Sequence, residues 1–198
     1  MAPTPPLRQP GTRRTPARSI LLGIARVACG RVAGLAHFAG TQQAFLASLA
    51  PLLAFPLVGT ALLLLRGGGL PALADLFATI TALLAPSVLS FEFARWWQRE
   101  AEWLRFATTF NWCQWALPVV VTLLLTVLGV LSQTGLSEPA ATVLLVVGVL
   151  GYGLWLHWFI ARHALRLSGV RAGLLVLGVN LGTALLILVP RLIALERP

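Results

Sequence analysis

Apolar and polar positions along the chain fall into long blocks. Unbroken apolar runs near 43–65, 70–90, 107–131, 141–161 and 172–189 are each long enough for the ~20 residues of a helix that crosses a bilayer. The breaks between them, such as "RGGG" at 66–69 and "SQTGLSEP" at 132–139, are the size of helix-to-helix turns. The pattern predicts an all-α membrane protein whose five transmembrane helices occupy residues 43–189. Ahead of them, residues 17–38 set Ile20, Ile24, Val27, Val32, Leu35 and Phe38 broadly on one helical side and Arg18, Arg26 and His37 on the other. Only Arg31 falls on the apolar side, where it would have to snorkel. This segment predicts a cytoplasmic interfacial amphipathic helix; three arginines and a histidine make a sixth span costly. Residues 1–16 hold five prolines and three arginines without apolar periodicity and predict a disordered cytoplasmic tail. Residues 190–198 predict a short external tail.

Composition agrees: 58% of residues are hydrophobic and 11% charged, and the mean hydropathy is +0.84, which leaves no length for a separate soluble domain. All fifteen basic residues are arginine, a usage expected of a GC-rich bacterial genome. Six arginines lie in residues 1–42, three (Arg95, Arg99, Arg105) follow the second run, and three (Arg162, Arg166, Arg171) follow the fourth. That puts twelve on one side against Arg66, Arg191 and Arg197 on the other. By the positive-inside rule the N-terminus is cytoplasmic and the C-terminus outside, in a bacterial inner membrane. The +9 net charge therefore records topology and contact with anionic lipid headgroups, not nucleic-acid binding.

Chemistry is sparse. Cys29 and Cys113 fit no metal-ligand spacing and predict no disulfide. "RVACG" at 26–30 puts arginine where a lipoprotein signal needs leucine, and "TRRTPAR" lacks the apolar residues that follow a twin-arginine signal. His157 and His163, six apart, do not share a helical face, and there is no zincin motif or phosphate loop. The expectation is a protein that is not an enzyme, with no catalytic, cofactor-binding or metal residues. The intramembrane polar candidates are Asp75, near the outer end of the second span, and Asn180 in the fifth. Gly178 and Gly182, four apart, have the small-residue spacing of close helix packing, with Asn180 turned to the opposite side. Pro51, Pro56, Pro86 and Pro118 interrupt spans, as in transporters with broken helices, but no polar cluster is evident beside them, and they read as ordinary membrane-helix kinks.

Residues 91–115, "FEFARWWQREAEWLRFATTFNWCQW", carry six charges and five tryptophans. Taken as one helix, Glu92, Arg95, Gln98, Arg99, Glu102 and Arg105 share an arc, with Arg99 and Glu102 spaced to pair, while Phe93, Trp96, Trp97, Trp103 and Leu104 share the other. Glu100 falls among the aromatic residues. If that face docks on the bundle, Glu100 becomes a buried acid paired with an arginine of the loop after the fourth span. All seven tryptophans lie in the cytoplasmic half, whereas an aromatic belt occupies both interfaces. Trp96, Trp97, Glu100, Trp103, Trp155, Trp158 and Arg171 are accordingly the candidate docking surface.

Between the last two spans Ser168, Arg171 and Ala172 form an "S-x-x-R-A" turn, with Tyr152, Trp155 and Trp158 before it. In these residues the C-terminal third resembles the Yip family of five-span integral membrane proteins. It implies a bacterial, non-enzymatic protein of membrane organisation or partner recruitment, acting with a membrane-protein partner or a second copy of itself. The alternative, supported by the prolines and Asp75, is a small-solute transporter or an accessory subunit of a transport complex.

Overall fold

A computed structural model describes residues 16–195. It is all-α: α1 (Pro16–Ala28), a 3-10 helix (Val32–His37), α2 (Gln42–Leu65), α3 (Gly69–Trp96), α4 (Glu100–Cys113), α5 (Ala116–Gln133), α6 (Glu138–Ala164) and α7 (Gly169–Leu195). Five stretches are long and apolar enough to cross a membrane: α2, α3, α4 continued by α5, α6, and Gly169–Val189 of α7. Only 11% to 22% of the most apolar window in each is buried, so most of their side chains face outward into what must be hydrocarbon. The chain is a multi-pass membrane protein with a short helix ahead of its five spans. The tail expected over 1–16 lies outside the described residues except for Pro16, which opens α1. The external tail expected over 190–198 is helical as far as Leu195, and 196–198 lie outside the described residues.

α3, α7 and α6 are successive neighbours, with α2 against α3 and α5 against α6, while α4 packs on α2, α3 and α6. Buried side chains gather at the arginine-rich end, where Phe106, Cys113, Ile160, Leu165, Leu175 and Val179 form one core. Toward the other end Leu65, Leu70, Val119 and Leu123 are all more than half exposed.

The single helix expected over 17–38 is two pieces. Gly30 takes a left-handed φ of 72°, open to glycine without a Cβ penalty, and turns the chain so that the 3-10 helix folds back on α1. Val27, Leu35 and Phe38 enter the main core, and the Tyr152 hydroxyl donates to the Ala28 carbonyl at 3.0 Å. The hairpin is thus seated on the bundle by its apolar side. Arg31 lies in the turn and is exposed, so the helical face it would have spoiled does not extend that far.

The segment 91–115 is not one helix either. α3 ends at Trp96, Gln98 is left-handed at φ 56°, and the Arg99 amide returns to the Ala94 carbonyl at 2.7 Å. α6 ends the same way: Arg166 has φ 54° and the Leu167 amide reaches the Arg162 carbonyl at 3.0 Å. Both are Schellman-type ends, in which glycine is the usual left-handed residue; a side chain there costs about 1 kcal/mol.

Candidate functional site

The arginine-rich end is where the hairpin, the α3–α4 junction and the α6–α7 turn meet. Leu35, Thr41, Glu102, Arg105, His163 and Arg166 line one cavity of about 500 Å³ there. Most of the tryptophans predicted to form a docking surface turn out to join helices. Trp103 donates to Ser90 Oγ at 3.2 Å and lies 5.2 Å from Phe45 and 5.0 Å from Phe91, ring centre to ring centre. Trp158 donates to the Gly169 carbonyl at 3.0 Å and carries the Arg162 guanidinium 5.1 Å above its ring, a cation–π contact. Trp155 stacks on Phe159 at 5.6 Å and faces the backbone of Gly30. Trp96 differs: it is 76% exposed and stacks at 10° on half-buried Trp97. It lines a second cavity, of about 730 Å³, with Glu92, Phe93, Arg95 and Gln98. That cavity takes in none of Glu100, Trp103, Trp155, Trp158 or Arg171, so the predicted surface is not one patch.

Glu100 is exposed and no salt bridge reaches it among the described residues. The left-handed turn at Gln98 resets the helical phase, which removes the premise that placed Glu100 on an aromatic face. It opens α4 instead, where with Glu102 it complements the positive end of the helix. Arg99 does meet Glu102, at 3.9 Å, and Glu92 meets Arg95 at 2.7 Å. Arg171 is exposed, and its amide takes the Ser168 hydroxyl as acceptor at 3.3 Å. Ser168 caps α7, and Ala172 is fully buried beneath the turn. The "S-x-x-R-A" pattern therefore has a local explanation in helix capping.

Of the polar residues within the spans, Asp75 lies far from this end, near the start of α3, and Asn180 borders the core with Cys113 and Ile160. Asp75 is exposed in the second turn of α3, its carbonyl accepting from Thr79 Oγ1 at 2.7 Å. Gly178 and Gly182 face α3: a Cβ on the first would lie 2.4 Å from Phe93 Cζ, and on the second 2.8 Å from Leu89 Cδ1. What approaches each glycine is thus a side chain seated where a Cβ would be. Asn180 looks the other way, toward α6. Its Nδ2 donates to the Val176 carbonyl at 2.7 Å and approaches His157 Nδ1 at 3.4 Å. With Nδ1 as acceptor, the His157 ring proton belongs on Nε2, which has no partner among the described residues.

Pro118 breaks its helix, while α2 and α3 run unbroken through Pro51, Pro56 and Pro86. Lacking an N–H, Pro118 leaves the Gln114 carbonyl without its helical donor. Leu117 supplies a tighter bond at 3.1 Å, and the span divides at Gln114 and Trp115. Cys113, Gln114, His157 and Asn180 all line a cavity of about 200 Å³ beside that break. Polar groups thus do gather at one proline, contrary to the sequence expectation, because α6 and α7 bring His157 and Asn180 from far along the chain. Among the described residues no three His, Cys, Asp or Glu side chains come together as a metal site would need.

Two polar contacts carried no sequence signal. Asn111, 1% exposed, donates to Ser48 Oγ at 3.0 Å, joining α4 to α2 inside the bundle. His37 lies 3.0 Å from both Ser19 Oγ and Arg26 Nη1. Arginine only donates, so His37 Nε2 accepts and Nδ1 carries the proton toward Ser19. A serine nucleophile needs the reverse, an imidazole free to take the hydroxyl proton; this trio clamps the hairpin. No protein-family model, curated protein or solved structure matches the chain.

Proposed function

We propose that this chain is a non-enzymatic, Yip-like protein of a bacterial inner membrane, N-terminus inside, which recruits a partner at its aromatic and arginine-rich end. The observation that carries this reading is Trp96: a 76% exposed tryptophan, stacked on Trp97 and beside the Glu92–Arg95 pair, is the kind of anchor that dominates binding surfaces. Photo-crosslinking in native membranes should capture the same partner with the wild type and with Leu65→Ala, a still more exposed site at the far end. Trp96→Ala should lose that partner. An unchanged crosslink in Trp96→Ala sinks the reading.

Orientation has its own test, in a Cys29→Ser background because Cys29 is exposed. A cysteine introduced at Ser137 should react with a membrane-impermeant maleimide in intact cells. One at Gly169, where a Cβ makes ordinary contact with Trp158 at 3.7 Å, should not. The opposite labelling would invert the topology. The cavity at the Gln114 break supports the second reading, a small-solute transporter with its site at a discontinuous helix. Proteoliposome flux abolished by Asn180→Ala would favour that reading over recruitment.

A further inference from the structure

We propose that the cavity between the N-terminal hairpin, α4 and the end of α6 binds a phosphate group. Three separate segments build it: Gly40 and Thr41 ahead of α2, Glu102 and Arg105 of α4, and His163 and Arg166 at the end of α6. The fit is close, since a Cβ on Gly40 would lie 3.3 Å from Arg105 Cβ. Charge is in surplus. Glu102 already has Arg99 at 3.9 Å, and neither Arg105 nor Arg166 has an acidic partner among the described residues. Two arginines lining one cavity can bring planar forks of N–H donors to the tetrahedral oxygens of a phosphate, which suit them better than a single carboxylate does. α2 begins at its rim, Thr41 being its N-cap, while the positive end of α4 already has Glu100 and Glu102 and α6 brings its negative end, so the arginine side chains carry the attraction.

Arg166 ends α6 with a left-handed φ of 54°, the same Schellman-type end as at Gln98, where glycine would be the cheaper residue, so the position keeps an arginine beside the cavity at a cost in backbone energy. The phosphate is either a lipid headgroup or a soluble anion; the chemistry is shared. The inference depends on the reading above only for placing this end at the cytoplasmic surface, and binding to purified protein does not depend on Trp96 or on a partner.

Purified full-length protein in detergent is titrated with dioleoyl phosphatidic acid in mixed micelles, with dioleoyl phosphatidylcholine as control, and with inorganic phosphate. Arg105→Gln and Arg166→Gly should each weaken phosphatidic acid binding about tenfold, the worth of one charge-assisted contact. Arg31→Gln, an exposed arginine of the same end, should leave it unchanged. Without ligand, Arg166→Gly should unfold at a higher temperature than the wild type, because it relieves the backbone while removing the guanidinium. Inorganic phosphate that competes in the low millimolar range supports a soluble source, and lipid binding without competition supports a headgroup. The proposal is overturned if neither probe binds, if both variants bind like the wild type, or if Arg166→Gly loses stability and binding together.

Discussion

Replacing Gly178 and Gly182 together by leucine should abolish recovery of folded protein from membranes, and Gly178→Ala alone should lower its thermal stability measurably. The first Cβ would sit 2.4 Å from Phe93 Cζ and the second 2.8 Å from Leu89 Cδ1, both far inside van der Waals contact. Phe93 borders the cavity beside Trp96, so its ring can give way, but only by breaking its packing on Trp97 at 5.4 Å. Overpacking of this kind costs about 1–3 kcal/mol per site, and two adjacent sites on one interface give about 2–6 kcal/mol together, a large share of a typical folding free energy. The α3–α7 contact is a poor place to absorb that loss, since α7 also carries Leu175 and Val179 into the core. A second measurement locates the effect. Phe93→Ala should partly restore the Gly178→Leu variant by vacating the space its side chain needs. Unchanged stability of the double leucine variant in detergent would mean that α3 and α7 do not pack through these glycines.

The same interface shows how far the sequence could be read. Spans were legible because a bilayer imposes length and apolarity on each helix separately, without reference to its neighbours. The glycine spacing was legible for a related reason: residues four apart on a helix share a face whatever that face meets. Glu100 was misplaced because its position depended on a continuous helix from 91 to 115, and one left-handed residue, Gln98, was enough to break the phase. Glutamine gives no warning of such a turn, whereas in the hairpin Gly30 offered one that the reading of 17–38 as a single helix passed over. The Gln114 break had its signal in Pro118, four residues on, but its meaning did not: His157 and Asn180 reach it from helices whose neighbours only the fold defines. The tryptophans are a similar case. Their crowding at one end was plain, yet which of them join helices and which, like Trp96, are left facing outward depended on partners such as Ser90 and Gly169.

Gly34→Ala should release the N-terminal hairpin while leaving the five spans intact. The added methyl would lie 2.8 Å from Val27 Cγ2, 2.9 Å from Arg26 Cβ and 2.9 Å from the Gly23 carbonyl oxygen. The last contact is with backbone, which no rotamer change can relieve. On the facing side Gly23 has no more room, its Cβ position being 2.8 Å from His37 Cβ. The 3-10 helix must therefore move away from α1, breaking the Ser19–His37–Arg26 clamp and drawing Leu35 and Phe38 out of the core. A cost of about 2 kcal/mol for the overpacked methyl corresponds to roughly a thirtyfold rise in the open population, and proteolysis in the fast-opening regime reports that population directly. Trypsin should accordingly cut the variant at Arg26, which is half-buried in the wild type, about thirty times faster, while helical content stays within a few residues of the original. Since Leu35 forms one wall of the arginine-lined cavity, phosphatidic acid binding should weaken in the same variant without any change of charge. Cleavage at the wild-type rate would show that the hairpin tolerates the methyl group and that its seating on the bundle does not depend on Gly34.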